Sequence, residues 1–272
     1  FGDLYCAVPF FNYGGVLADN DSIERQLINH AWSTASKHGS QHIEYRQTHR
    51  MPNLPCRDDK VSMILTLPQD KECLWQNLGS KLRAQINKAA TNTHQVKNGR
   101  HELVDDFYQV FAHRMRDLGT PVYSKQLFIN MLNENVSAKI IVIYVKDQAA
   151  SAGFILGWRN TIEIPWASSI KDINNQDNNM LLYWYILQFA IEKKYQCFDF
   201  GRSSKDASTY QFKKQWGAKA HPLYWHYSLN DQNEIPSITT QNPKYQLAIT
   251  VWKVLPLWLT KIIGPHVVKY IP

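Results

Sequence analysis

The residues best suited to chemistry lie in one stretch, CFDFGRSSKDASTYQFKKQWGA, from Cys197 to Ala218. Cys197, Phe198 and Phe200 are strand formers that follow a helical pattern ending at Lys194, so the stretch opens as a strand. It turns at Gly201 and continues into a helix capped by Asp206 or Ser208 and stopped by Gly217. On that helix Phe212 and Trp216, four apart, share one face, Tyr210 and Lys214 share another, and Lys213 falls between them. Two lysines beside two aromatics, just after a strand end bearing Arg202, Ser203 and Ser204, would form a cationic pocket with apolar walls. Such a pocket suits a phosphate, a nucleotide or a developing oxyanion. The same spacing is also that of an ordinary amphipathic helix with Phe and Trp in a core and the lysines in water. Glu163 on a central strand, or Asp199 at a strand end, could take a proton beside the site. Either could instead bond a backbone amide. His221 and His226 have no partner at telling spacing.

Length and composition bound what surrounds this stretch. A chain of 272 residues with 44% apolar and 12% aromatic side chains makes one or two domains and fills a core. A formal charge of +7 favours an anionic partner, whether RNA, nucleotide or membrane surface. Cys6, Cys56, Cys73 and Cys197 show neither CxxC pairing nor histidines at ligand spacing, which argues against a zinc site and a disulfide framework and for a reducing compartment. The start at Phe1, in an apolar run unlike a signal peptide, reads as the inside of a longer protein.

The elements that must position the site follow from periodicity. LYCAVPFF (Leu4 to Phe11) reads as a strand buried on both faces, broken by NYGG. Asp19 to Ser22 supply cap residues for a helix with Ile23, Leu27, Ala31 and Ala35 on one face, stopped by Gly39. HIEYR and VSMILTLP are strands on either side of a proline-bearing loop. SKLRAQINKAA is a basic helix with Leu82, Ile86 and Ala89 inward, and Lys81, Arg83 and Lys88 either solvated or gripping phosphate. A helix from Glu102 to Leu118 and a short one capped by Ser124 precede three strands, KIIVIYVK, SAGFILGW and TIEIPWAS, the last two joined at Arg159 and Asn160. A helix apolar almost all round runs from Met180 to Ile191, and its polar start (Asn174 to Asn179) offers backbone amides to an anion. PLYWHYSL is a further strand. The segment from Tyr245 to Pro272 is apolar, but Lys253, Lys261 and Lys269 divide it, so it should pack on the protein or lie on a bilayer surface rather than cross one. Trp252, Leu255 and Trp258 have spacing suited to a core, with the first part of the chain as the expected partner.

A plan recurs inside the chain. An apolar strand with VPF, a polar turn, a helix and HIEYR are echoed by a strand with IPW, a polar turn, a helix and CFDFGR, at intervals of 35 residues (Pro9 to Glu44) and 34 residues (Pro165 to Asp199). Two lobes of one plan are expected, the first cut by the start of the chain.

The order of elements from Glu102 to Leu229 resembles the N-acetyltransferase-like (GNAT) fold. The words SKLRAQINKA, MRDLGTPVYSKQLF, EIPWASS, DFGRSS, TYQFKKQWGA and the C-terminal WKVLPLWLTKIIGPHVVKYIP resemble the FemAB-related, BioF2-like proteins associated with the PEP-CTERM/exosortase system of exopolysaccharide-producing bacteria. The resemblance implies an α+β fold, a mixed sheet flanked by helices in two related lobes: residues 1–79 the end of the first, 80–230 the second, 231–272 an apolar helical segment. It implies an enzyme that moves an aminoacyl or acyl group to an amine of a cell-envelope or exopolysaccharide-related acceptor. The donor would be aminoacyl-tRNA or acyl-CoA, with no permanently bound cofactor and no metal. The partners implied are charged tRNA and an anionic glycan or peptidoglycan-like precursor, with peripheral contact at the inner face of the bacterial membrane and a cytoplasmic location. Phe212 and Lys213 match the family's aromatic-lysine pair at the transfer site. Tyr210, Trp216, Arg202, Ser203, Arg83, Arg116 and Tyr123 are the accompanying candidates for substrate binding, with Glu163 and Asp199 as candidate bases. The usual GNAT pyrophosphate loop, Q/RxxGxG/A, is absent between Ser168 and Met180, which leaves acyl-CoA the weaker donor. An acyl-CoA-dependent N-acyltransferase and a non-catalytic module binding an anionic glycan precursor are the alternatives.

Overall fold

The computed structural model describes residues 4–91, 94–171, 173, 177–205, 207–230, 235 and 243–271, with no side chains described at 243–245. The first part of the chain holds β1 (Leu4–Cys6), α1 (Asp21–Lys37), β2 (His42–Gln47), β3 (Cys56–Arg57), β4 (Lys60–Thr66), α2 (Lys71–Asn77) and α3 (Ser80–Ala90). Then come β5 (His94–Gly99), α4 (Val104–Leu118), α5 (Lys125–Glu134), β6 (Lys139–Val145), β7 (Gln148–Trp158), β8 (Thr161–Ser169) and α6 (Asn178–Glu192). The chain continues through β9 (Cys197–Ser204), α7 (Ser208–Lys214), β10 (Lys219–Pro222), β11 (Tyr224–Leu229), α8 (Pro243–Val254) and α9 (Leu257–Val268).

A seven-stranded sheet runs β10-β4-β9-β8-β7-β6-β5, and a four-stranded one runs β1-β2-β11-β3. The sheets exchange strands: β4, early in the chain, pairs with β9 in the larger sheet, while β11, late in the chain, pairs with β2 in the smaller. On one face of the large sheet α3, α6 and the turn after α7 bury Leu82, Ile86, Leu182, Ile186 and Trp216 against Met63, Ile143 and Phe198. On the other, α4 and α5 set Phe107, Phe111 and Phe128 against Ile140, Phe154 and Trp166. The architecture is thus α+β, a large mixed sheet flanked by helices.

The recurring plan is visible as two strand, helix, strand units with parallel pairing. In the first, β1 and β2 pair through Leu4 and His42, Tyr5 and Ile43, Cys6 and Glu44. In the second, β8 and β9 pair through Thr161 and Cys197, Ile162 and Phe198, Glu163 and Asp199. Three local expectations need correction. The strand in LYCAVPFF is only Leu4–Cys6 and lies at the edge of its sheet, because the chain leaves extended geometry at Val8 (φ 55°) and Phe10 (φ 74°), and Tyr5 and Val8 are exposed. On α1 the buried face carries Ile28 and Ala35, with Ala31 and Trp32 beside them, whereas Ile23 and Leu27 are exposed. The C-terminal helices pack on α4 rather than on the first part of the chain, and Trp258 is 64% exposed. No helix among the described residues is long and apolar enough to cross a membrane.

Candidate active site

The two middle strands of the large sheet part where the chemistry-bearing residues lie. After the rung between Glu163 and Asp199, β8 continues beside β7 and β9 beside β4, with no further pairing between β8 and β9. On β9 the word Asp-Phe-Gly-Arg builds a bulge. Phe200 and Gly201 together oppose Met63, since the pairing jumps from Ser62 with Arg202 to Ile64 with Asp199. Gly201 takes φ 74°, a left-handed conformation that side-chain-bearing residues adopt at a cost, and its N–H donates to Asp199 Oδ1 at 2.7 Å. This turn offers two successive carbonyls to one donor. Lys213 Nζ donates to Gly201 O at 2.9 Å and to Arg202 O at 2.7 Å.

Lys213 and Lys214 therefore have different fates. Lys213 is 8% exposed and Lys214 faces water. Burial pulls the Lys213 pKa down to about 8, against the attraction of Asp199, with Arg202 pulling the same way as burial. An ammonium has three donors. Two are held by the bulge, and the third has no partner among the described residues. The aromatic residues of α7 and of the turn after it pack into the neighbouring core. Phe212 meets Tyr183 edge-on at 5.0 Å, Trp216 lies 6.0 Å from the same ring, and Tyr210 is half-buried against that core. Ser203 is buried with its hydroxyl unpartnered among the described residues. Asp206 lies outside the described residues, as do Asn174, Asn175 and Gln176. The cap position of α7 is Ala207, without a side-chain cap bond.

The carboxylates are held by a loop that periodicity did not single out. Asn12 Nδ2 donates to Glu163 Oε1 at 2.8 Å, and the Tyr13 hydroxyl donates to Asp199 Oδ2 at 2.5 Å. Ser62 Oγ donates to Asp199 Oδ1 at 2.6 Å. With three donors, Asp199 is the anchored carboxylate of the pair. Glu163 is the tunable one: burial and the charge of Asp199 raise its pKa to about 7, while the Asn12 bond and Lys213 restrain it. Phe10 and Phe11 wedge the loop against Tyr123 (4.7 Å) and Trp166 (5.5 Å), and Arg46 Nη1 donates to Phe11 O at 2.8 Å.

A basic pocket of about 260 Å³ opens beside this loop, lined by Phe10, Phe11, Tyr123, Arg46, Arg202 and Trp225 among others. Both guanidinium groups stack on the Trp225 ring, Arg46 at 4.7 Å and Arg202 at 4.8 Å. Arg46 is neutralised by Glu44 at 2.8 Å, and Tyr227 also donates to Glu44. Arg202 has no carboxylate of its own among the described residues and opens to solvent through the pocket. Its surroundings and Arg46 lower its pKa. The pocket thus offers a planar, unpaired guanidinium to an anion. A second pocket of about 250 Å³ is lined by Tyr13, Ser62, His221 and Tyr224 among others.

Two candidates lie elsewhere. Arg116 is tied to Asp117 at 3.0 Å and to His113 at 3.3 Å on α4, and does not line the basic pocket. Arg83 stands on α3, whose inward side is taken by Leu82 and Ile86, and is likewise absent from that lining. Asn12, Tyr13, Arg46 and Trp225 are the site residues sequence reading passed over. The only signal was NYGG, a polar break whose first glycine, Gly14, lies so close to the Ala7 carbonyl that a Cβ would clash with it.

The large sheet thus parts between β8 and β9, with Glu163 and Asp199 on the last shared rung and Lys213 held by the β9 carbonyls just beyond it. The acetyltransferase (GNAT) domain family matches residues 77–214, just over half of the chain. The chain belongs to that family and is an acyltransferase, which sets aside the non-catalytic module. Among solved structures it is similar to FemX, with a TM-score of 0.60 and 12% identity over 89% of this chain and 85% of that one. It is similar also to the C-terminal domain of a putative lysylphosphatidylglycerol synthetase from Agrobacterium fabrum, with a TM-score of 0.58 and 12% identity over 86% and 77%. A tandem GNAT protein from the clavulanic acid biosynthesis pathway gives a TM-score of 0.53 and 10% identity over 80% and 73%. No curated protein matches the chain by sequence. GNAT enzymes use acyl-CoA as a substrate and hold no permanent cofactor.

Proposed function

We propose that this protein transfers an aminoacyl or acyl group from an activated ester or thioester to an amine, with Glu163 as base and Lys213 as the charge that meets the oxyanion. The supporting observation is the pairing of a carboxylate of pKa about 7 with a buried ammonium of pKa about 8 at one parting of the sheet. The amine nitrogen attacks the acyl carbon and loses its proton to Glu163. The carbonyl oxygen becomes an alkoxide facing the free N–H of Lys213. Collapse then expels the donor's oxygen or sulfur, which takes up the proton held by Glu163 and returns the base to its starting state. Asp199, fixed by three donors, keeps Glu163 basic by its charge.

Aminoacyl-tRNA is the donor favoured by the Phe212–Lys213 match to the FemABX pattern and by the missing pyrophosphate loop. Acyl-CoA is the alternative favoured by the family as a whole. Donors of either kind are made in the cytoplasm, where the reaction would run. The acceptor fits an amine on an anionic precursor of the cell envelope, whose phosphate or carboxylate would meet Arg202, Arg46 and Tyr123 in the basic pocket. The narrower setting, exopolysaccharide work beside the PEP-CTERM/exosortase system, has only the sequence words in its support.

Incubation with radiolabelled aminoacyl-tRNA and, separately, with acyl-CoA and a thiol reagent decides the donor. Label moving from tRNA to an amine supports the first reading, and thiol release in step with acceptor acylation supports the second. Transfer that survives Glu163→Gln and Lys213→Met unchanged would refute the assignment of roles.

A further inference from the structure

The two C-terminal helices, α8 and α9, each present an apolar stripe flanked by basic residues to solvent. Leu247, Val251 and Val254 stand at i, i+4 and i+7 on α8 and are 71%, 50% and 79% exposed. On α9, Trp258 and Ile262 are 64% and 59% exposed, and His266 and Lys269 continue the same stripe. The opposite faces are committed to the protein. Thr260, Gly264 and Val268 are buried, and a Cβ on Gly264 would meet Val122 backbone at 2.8 Å. Ile249 sits against Gly119, where a Cβ would meet its side chain at 2.5 Å. Both helices pack on α4, and these two close approaches keep each helix from rolling its apolar stripe inward.

Charge narrows what could cover such a face. From residue 235 to 272 there is no Asp or Glu, and the segment carries Lys244, Lys253, Lys261, Lys269 and His266. Lys253 and Lys269 are exposed at the margins of the stripe, and Tyr270, 70% exposed, joins Trp258 as a second amphipathic ring. Aliphatic residues flanked by lysines, with Trp and Tyr at the border and no acid, fit the boundary between acyl chains and anionic headgroups. We infer that α8 and α9 dock this protein, flat, on the anionic surface of a lipid bilayer. This reading is independent of the donor and the acceptor of the transfer reaction.

The test is sedimentation of the whole chain with vesicles of phosphatidylcholine alone or mixed with phosphatidylglycerol, at low and at high salt. Binding to the anionic vesicles that weakens with salt, and little binding to phosphatidylcholine alone, is expected. Trp258→Glu with Ile262→Glu should abolish it. Lys253→Gln with Lys269→Gln should weaken it on the order of tenfold or more, from the share each lysine contributes near an anionic surface. All four positions are on the solvent side, and circular dichroism checks that the variants fold. The inference is overturned by failure to bind anionic vesicles at low salt, or by binding that both double variants leave unchanged. It is also overturned if the chain is a dimer that Trp258→Glu with Ile262→Glu dissociates, because the face would then belong to a second copy.

Discussion

Replacing Lys213 by methionine is expected to stop transfer while making the protein slightly more stable, because the charge that serves the reaction burdens the fold. A pKa drawn from 10.5 to about 8 means that the ammonium is held at neutral pH at a cost of about 3 kcal/mol relative to water. Methionine keeps the apolar stem and removes that cost. It also leaves the carbonyls of Gly201 and Arg202 without their donor, a loss of about 1 kcal/mol each. The balance is a gain of about 1 kcal/mol, a rise in melting temperature of about 2 °C. Turnover should fall on the order of 10²-fold, the effect of losing one oxyanion donor. Lys214→Met, on the exposed side of α7, should change neither quantity much.

The pH dependence sharpens the test. Between about 8 and 10.5 the unfolded chain still binds the lysine proton that the folded one has released. Stability of the unaltered protein therefore rises with pH through that window, by up to about 3 kcal/mol relative to the Lys213→Met variant. Below pH 8 both states are protonated and the difference is constant. Urea denaturation of both proteins across pH, beside transfer assays at neutral pH, measures this. A variant that is clearly destabilised at neutral pH, or a difference that stays flat up to pH 10.5, would make Lys213 a structural anchor and refute the reasoning.

The remaining expectations concern the acids and the basic pocket. The profile of kcat/KM against pH should rise through about 7 as Glu163 ionises and fall above about 8 as Lys213 discharges, and Glu163→Gln should abolish most of the activity. Asn12→Ala removes the bond that restrains the Glu163 pKa, so the rising limb should move to higher pH, which rate measurements at saturating donor would show. Arg202→Gln should raise KM for an anionic acceptor on the order of tenfold with kcat nearly kept, since its guanidinium stands in the pocket rather than at the parting of the strands.

Local patterns carried much of the fold. The inward residues of α3, the extent of α4, the three strands of β6 to β8 and the turn at Gly201 were all legible, because each depends on spacing or a single residue's conformational freedom. What escaped depends on contacts between distant segments. Val8, Pro9 and Phe10 look like a buried strand by composition, yet they turn aside so that Asn12 and Tyr13 can reach Glu163 and Asp199, 151 and 186 residues away in sequence. The separation of Lys213 from Lys214 was legible from helix geometry. The cause of its altered pKa, enclosure beneath the bulge of β9, was not.

The recurring strand, helix, strand plan explains why the candidate site needs both parts of the chain. Each unit ends its parallel pairing on a rung that carries an acid, Cys6 with Glu44 in the first and Glu163 with Asp199 in the second. In the second unit the strands then part, and the gap needs a filler that can satisfy two carboxylates at once. The first unit supplies it, because the chain leaving β1 carries Asn12 and Tyr13 across. Strand exchange fixes the relation further: β4 sets Ser62 against Asp199, and β11 sets Trp225 beneath both Arg46 of the first unit and Arg202 of the second. The acid of the first unit, Glu44, meanwhile holds Arg46 and Tyr227 at the rim of the basic pocket. Equivalent positions have thus taken separate tasks, one tuning a base and the other leaving one of two arginines unpaired for an anion.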